Sequence, residues 1–263
     1  MALTENRRDV QRAVISRAKV VLGTAGVRVQ MTVGLLICIL ATVSVVLIVS
    51  ALSLLVDFDM LYATSAFWGA LAETALVLVQ FALILLLAAP LYLGLLAAAI
   101  KMRRGASVTL ADLFAFFDSP SAYFRGWGMI ARVVGRAYPY WLLYGISLMA
   151  FLTESEIVYG IIGATAVPLI LWGLYTTGRS LPFLTFALCN PQIPLRHTMM
   201  NAKAMTKKKT LSIFVFRMRL LWRFLLSLLS IGVVTLLHTL PLLILATHEY
   251  AFVLARQQEE ALN

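Results

Sequence analysis

The chain has 263 residues, of which 61% are hydrophobic and 13% are charged, and its formal charge is +10. Soluble domains usually contain about 45–50% apolar and about 25% charged residues, so this composition excludes a soluble, a disordered or a disulfide-stapled protein. It predicts an all-α fold, a polytopic bundle of transmembrane helices. A basic excess indicates nucleic acid, acidic lipid or the positive-inside rule, and in so apolar a chain the last interpretation comes first.

The first 29 residues form a basic segment ahead of the first apolar run. Val10, Val14, Val21 and Leu22 can share one face of a helix, with basic residues on the other faces. This pattern predicts an amphipathic helix at the cytoplasmic surface. The apolar run that follows is longer than the roughly 7–15 residues of a signal-peptide core, so we expect it to remain in the protein as a membrane anchor.

Five apolar runs then approach the ~20 residues that cross a bilayer as a helix. The predicted spans are 30–56, 71–100, 137–152, 157–177 and 220–246, which make residues 30–246 one bundle domain. The fourth helix can extend to Leu188 in the cytoplasmic interface. The alternative is six spans, with a turn at 238–241 that divides residues 211–255 into two short crossings. We prefer five, because the alternative buries Arg217, Arg219 and Arg223 at roughly 2.5–3.5 kcal/mol each.

The basic residues orient this bundle in the inner (cytoplasmic) or plasma membrane. If the N-terminus is cytoplasmic, every Lys and Arg except Arg256 falls on the inner side. The short outer loops are acidic, and so is the tail at 247–263, which contains Glu249, Glu259 and Glu260. This asymmetry predicts a multi-pass protein with a cytoplasmic N-terminus and an outer C-terminus.

The segment between the second and third spans predicts a further amphipathic helix. Within residues 107–117, Thr109 and Asp112 fit a capping box. The apolar positions at helical spacing are Leu110, Leu113, Phe114 and Phe117. We expect this helix to lie in the cytoplasmic interface or to pack under the bundle, and to end before Pro120.

Basic side chains recur on the predicted cytoplasmic side, and we call them the basic collar. Arg125, Arg132 and Arg136 have spacings of seven and four, which place them on one helical face that leads into the third span. The other members are Arg179, after the fourth span, and the triplet Lys207, Lys208 and Lys209. A basic residue near an anionic membrane surface contributes about 1 kcal/mol, so the collar predicts contacts with anionic lipid or a partner protein.

Three polar residues within the predicted spans are candidates for function: Glu73, Gln80 and His238. Glu73 and Gln80 are seven residues apart and share a face of the second span, which favours a transport path or interhelical hydrogen bonds. The three histidines stand apart, and the sequence contains no Walker, Rossmann, GxSxG, HExxH or CxxC motif. We therefore predict no catalytic residues, no cofactor and no metal site.

Residues between about Pro90 and Pro241 resemble a family of bacterial integral membrane proteins, domain-of-unknown-function family 975. The resemblance is carried by Pro90-Leu91, Gly94, Arg103, Asp112-Leu113-Phe114, Phe117, Asn190-Pro191, Met205, Lys209, Trp222, Leu225, Gly232 and Pro241. A more distant likeness is to the membrane domains attached to glycerophosphodiester phosphodiesterases, without their catalytic domain. The resemblance implies a multi-helix bundle with no assigned reaction.

These observations favour a non-catalytic accessory, scaffold or envelope factor that acts through its basic cytoplasmic face. The alternative is a small transporter or an ABC-type permease subunit with an ATPase partner, because the loop before the fifth span has the general form of an ATPase-docking segment. A membrane-embedded enzyme is a third hypothesis. Nucleic acid is not an expected partner, because the basic runs lack interleaved exposed aromatic residues. The substrate, the partner and the oligomeric state are left open.

Overall fold

The computed structural model describes residues 7–24, 26–153, 156–178, 180–207, 209–230 and 238–262, and every regular element in them is helical. The all-α prediction is therefore confirmed. The α-helices are α1 Arg7–Gly23, α2 Val27–Ser53, α3 Phe58–Thr64, α4 Ala66–Leu83, α5 Ala89–Arg103, α6 Pro120–Val134, α7 Tyr138–Thr153, α8 Glu156–Gly178, α9 Leu181–Cys189, α10 Leu195–Thr206, α11 Thr210–Ser230 and α12 Leu240–Leu262. A π turn, Ile84–Ala88, joins α4 to α5, and 3-10 turns lie at Leu110–Phe114 and Gly135–Ala137.

Short polar side chains start several of these helices. The Asp57 carboxylate accepts a hydrogen bond from the N–H of Met60 at 2.9 Å and so caps α3. The Ser119 hydroxyl accepts from the N–H of Ala122 at 3.2 Å, and Pro120 follows as the first residue of α6. Each cap satisfies an N–H that has no partner within its own helix, and a proline at the first position sacrifices no bond.

The π turn between α4 and α5 is explained by Pro90. Proline has no N–H, so the carbonyl of Leu86, four residues earlier, loses its helical donor. The hydroxyl of Tyr123, on α6, donates to that carbonyl at 3.0 Å. This bond satisfies a backbone carbonyl that the helix leaves without a donor, and it links α6 to the junction.

Two apolar cores meet at α5. The larger core joins α1, α2, α5, α11 and α12, with fully buried side chains such as Val14, Met31, Leu95, Phe216 and Leu245. The smaller core joins α5, α6, α9 and α10 through Leu93, Met129, Phe183 and Ala202. Of the residues predicted to share a face of α1, Val14 and Leu22 are buried in the main core, Val21 packs against it and Val10 is partly buried.

Among the residues that the structure describes, three helices are long and apolar enough to cross a membrane: Val27–Ser53, Phe67–Arg103 and Glu156–Cys189. They correspond to the first, second and extended fourth predicted spans, and most of their apolar side chains face outward rather than into the protein. Such exposed apolar surface is typical of contact with lipid. The chain is therefore a helical protein with apolar helices suited to a membrane.

The five predicted spans are not confirmed among the described residues. Helix α7 matches the third span but has only 16 residues, which corresponds to a length of about 24 Å. Of the fifth span, 220–246, the structure describes the two ends, in α11 up to Ser230 and in α12 from Leu240. Residues 231–237 lie outside the described part of the chain.

The last helix packs along the first one. At the same end of the bundle, the carboxylate of Glu249 on α12 pairs with the guanidinium of Arg103 at the end of α5. Farther along α12, Gln257 accepts a hydrogen bond from Lys209 at 2.7 Å. The sequence prediction that placed Glu249 outside the membrane and Arg103 inside disagrees with this contact.

The predicted helix at 107–117 is a five-residue 3-10 turn. Its capping residues behave as expected, since the Asp112 carboxylate accepts from the N–H of Thr109 at 2.8 Å. Leu113, however, is buried against Gly34 and Gly94, while the other residues of the expected apolar face are exposed. Close packing on α2 and α5 decides the conformation of this segment rather than a continuous apolar face.

Candidate functional site

An open cleft of about 500 Å³ lies where the end of α8 and the start of α9 meet α11 and α12. Nine of its thirteen described lining residues are leucine, isoleucine or phenylalanine. The remaining four are three hydroxyl side chains and one charged group, the guanidinium of Arg217. A mostly apolar cleft of this volume with few polar groups is typical of small-molecule sites.

Arg217 reaches the cleft from the packed face of α11, next to the buried side chains of Ile213 and Phe216. Its Nη1 atom donates to the carbonyl oxygen of Leu174 at 2.9 Å and to the hydroxyl oxygen of Thr177 at 2.7 Å. Both acceptors belong to the end of α8, where the helix dipole is negative and favours a cation. The end of α8 thus positions the guanidinium at the cleft.

The lack of a side chain at Gly178 leaves room for this approach. A Cβ atom at Gly178 would lie 3.3 Å from Cδ of Arg217 and 3.5 Å from its Nη1. The hydroxyl of Thr177 donates to the carbonyl of Gly173 at 2.6 Å, which orients its oxygen lone pairs toward the arginine. The last turn of α8 is therefore shaped around the arginine side chain.

Among the described residues, no carboxylate forms an ion pair with Arg217. Burial lowers the pKa of its guanidinium, although an arginine, which starts from so high a value, stays protonated at neutral pH. Because a partly buried cation with only neutral protein partners is costly, the cleft favours an anion beside it.

A second concavity, the basic groove, lies between α1 and α11. Its charged residues are Arg12, Arg219 and Arg223, and Trp222 lies among them with 63% of its surface exposed. Arg219 donates to the amide oxygen of Gln11 at 2.6 Å, which ties the groove to α1. Arginine and tryptophan are the residue types that favour the headgroup region of a membrane.

A buried polar cluster lies between α5, α9 and α12. The Arg103–Glu249 ion pair forms its charged part, with the guanidinium 4.0 Å from the ring centroid of Phe252. Next to it, the Nδ1 atom of His248 is 2.8 Å from the hydroxyl of Thr185, and both side chains are buried. Burial, and secondarily Arg103, lowers the pKa of His248 to about 4. The cluster joins three helices through hydrogen bonds and charge.

The three predicted arginines of α6 and its extension do not act as one stripe. Arg125 turns into the protein, and its Nη2 donates to the carbonyls of Asn190 at 3.2 Å and Ile193 at 3.1 Å, just after α9. Burial lowers its pKa. Arg132 is exposed and donates back to its own helix, while Arg136 is partly buried and its carbonyl accepts from a hydroxyl on α8.

The other members of the basic collar are also dispersed. Lys207 is exposed, and Lys209 is bonded to α12 through Gln257. Arg179 and Lys208 lie outside the described residues. In the part of the chain that the structure describes, the collar is therefore not one continuous patch.

The predicted polar residues of the spans do not converge. Glu73 and Gln80 are both partly buried on α4, and Glu73 lies near the phenol of Tyr62. Burial, followed by this carboxylate, raises the pKa of Tyr62. His238 lies in a separate concavity beside Arg28 and residues of α2. The described residues contain no group of three or more His, Cys, Asp or Glu able to hold a metal ion.

Sequence reasoning did not single out Arg217, the basic groove or the buried polar cluster. One signal was available, because Arg217 falls four residues after Ile213 and three before Leu220, on the apolar stripe of α11. A lone charge in such a stripe indicates a buried cation. Nothing comparable marks His248 and Glu249, since their partners come from distant helices.

Comparisons with protein-family models, with curated proteins and with solved structures find no match to this chain. The interpretation of its sites therefore depends on their geometry and chemistry.

Proposed function

We propose that this protein is a multi-pass component of the inner or plasma membrane, a non-catalytic accessory, scaffold or envelope factor that binds anionic lipid headgroups. The resemblance to family 975 stays a prediction within this proposal. The observation that carries the proposal is the basic groove, in which exposed Trp222 lies beside Arg219 and Arg223. An indole at the headgroup level and guanidinium groups on lipid phosphates would together hold this surface at the membrane.

The proposed topology supports this placement. We propose that α2, the α4–α5 rod, α7 and the α8–α9 segment cross the membrane, with both ends of the chain on the cytoplasmic side. The packing of α12 against α1 and the contact between Arg103 and Glu249 support an even number of crossings. The basic groove, formed partly by α1, then faces the anionic inner leaflet.

The proposal is tested by lipid preference in the purified full-length protein. Native mass spectrometry would count phosphatidylglycerol bound per chain against phosphatidylcholine. Removing two headgroup contacts by the double substitution Arg219→Gln and Arg223→Gln should lower the preference for phosphatidylglycerol roughly thirtyfold, since each contact contributes about 1 kcal/mol.

The matched control removes two exposed basic residues outside the groove, by Arg196→Gln and Lys203→Gln on α10. It should leave the lipid preference almost unchanged. An equal loss in both double variants would mean that total charge, and not the groove, determines lipid binding. Co-purification of an ATPase, or solute flux that Gln80→Leu abolishes, would instead favour the transporter alternative.

A further inference from the structure

We propose that the cleft at Arg217 binds a single amphiphile, with an anionic head group on the guanidinium and an acyl chain along the apolar walls. This site is distinct from the basic groove. It would take one bound molecule rather than the layer of lipid that surrounds the protein.

The hydrogen bonds of Arg217 indicate that the ligand has an anionic head group. A guanidinium has five N–H donors, and the bonds that Arg217 makes to described residues both come from Nη1, to the carbonyl of Leu174 and the hydroxyl of Thr177. Its remaining donors are available to an oxygen-rich anion. Arginine binds phosphate and carboxylate oxygens through parallel N–H bonds, a geometry that fits an amphiphile's head group.

The apolar walls of the cleft indicate that the ligand has an acyl chain. Leu184 on α9, Leu221 and Phe224 on α11, and Leu243 and Ile244 on α12 line the cleft, and among its described lining residues only Arg217 is charged. A free inorganic anion would use only the guanidinium and would leave this apolar surface uncovered. An acyl chain would cover it, at about 25 cal/mol for each Å² removed from water. The combination of one cation and apolar walls selects an amphiphile.

A purely structural role for Arg217 explains less. A cation that caps the end of α8 accounts for the two bonds from Nη1. It does not account for the apolar cleft on the other side of the guanidinium, or for the lack of a carboxylate partner among the described residues.

The experiment titrates the purified full-length protein, in a non-ionic detergent, with three probes. Oleoyl lysophosphatidic acid carries the chain and the anionic head, oleoyl lysophosphatidylcholine carries the same chain without net charge, and inorganic phosphate carries the anion alone. We expect saturable binding of one lysophosphatidic acid per chain by native mass spectrometry. Lysophosphatidylcholine should bind at least about tenfold more weakly, because its choline cancels the net charge beside Arg217 and a charged hydrogen bond contributes about 1.5–3 kcal/mol. Inorganic phosphate should also bind at least about tenfold more weakly, because it has no acyl chain to cover the apolar walls.

Two kinds of variant locate the site. Arg217→Gln should reduce lysophosphatidic acid binding to the level of lysophosphatidylcholine. Leu221→Trp should fill the cleft and weaken both amphiphiles, whereas Leu225→Trp, on an exposed position of the same helix, should change neither. The tryptophan pair keeps the proposal testable if Arg217→Gln does not fold.

Three results would overturn the proposal. Inorganic phosphate binding as tightly as lysophosphatidic acid would show a simple anion site. Unchanged binding by a folded Arg217→Gln or Leu221→Trp variant would place the amphiphile elsewhere. Loss of binding in the Arg219→Gln and Arg223→Gln double variant, with Arg217→Gln unaffected, would assign it to the basic groove. If lipid binding at the basic groove failed its own test, the results expected for the cleft at Arg217 would be unchanged.

Discussion

At the scale of single residues, His248 is a buried group whose charge depends on pH. Its imidazole is hydrogen-bonded to Thr185 and lies near Arg103, and Glu249 follows it on α12. Its pKa is lowered from 6.5 to about 4, because burial and the neighbouring arginine disfavour a second cation. Between these two pKa values the unfolded chain binds more protons than the folded protein.

The folded protein should therefore lose stability as the pH falls from 6.5 toward 4. This contribution is fully present above pH 6.5 and amounts to roughly 3 kcal/mol, at about 1.4 kcal/mol for each unit of pKa difference. Thermal unfolding in detergent, followed between pH 7.5 and 4.5, measures it. His248→Gln should flatten this dependence, and His197→Gln, at an exposed position, should not. Equal slopes in the wild type and His248→Gln would contradict the assignment.

At the scale of elements, the contact between α5 and the 3-10 turn at 110–114 depends on a glycine. A Cβ atom at Gly94 would collide with the backbone carbonyl of Leu113. The flexible end of a side chain could move away, but the backbone of this turn is held by Leu113 in the core and by the Asp112 carboxylate on Thr109. Gly94 thus permits the close approach of two chain segments.

We expect Gly94→Ala to destabilise the protein by about 1–3 kcal/mol, the usual cost of overpacking. The matched control is Gly160→Ala on α8, where an added Cβ meets nothing within 4 Å. That change should be neutral or slightly stabilising, because alanine is the better helix former. The midpoints of thermal unfolding would separate the two variants, and similar midpoints would show that the turn can move.

At the scale of the whole molecule, the packing of the first and last helices makes a prediction about the membrane. Reporters fused to the N-terminus and the C-terminus should be accessible from the same side, because α12 packs along α1 and Glu249 contacts Arg103. Accessibility of the two tags in intact and permeabilised cells measures this. A C-terminal tag accessible only from outside would support the five-span prediction and contradict the proposed even number of crossings.

The all-helical class and the apolar helices suited to a membrane could be predicted from the sequence alone. A helix that crosses lipid is about 20 residues long and apolar, and it satisfies its own backbone hydrogen bonds. These requirements act on consecutive residues, so the sequence shows them directly. Caps such as Ser119-Pro120 and the Thr109–Asp112 pair are local for the same reason, and the structure contains them.

Only the tertiary structure decided which polar groups meet. Arg125 was predicted to contact anionic lipid or a partner protein, yet it donates to a backbone carbonyl just after α9. Glu249 was predicted to lie outside the membrane, yet its carboxylate pairs with Arg103, which was predicted to lie inside. These contacts join residues about 65 and about 146 positions apart, and no helical period links such positions. The pairing depends on how the helices pack. The burial of Arg217 at the end of α8 is decided in the same way, because its acceptors lie some 40 residues earlier in the chain.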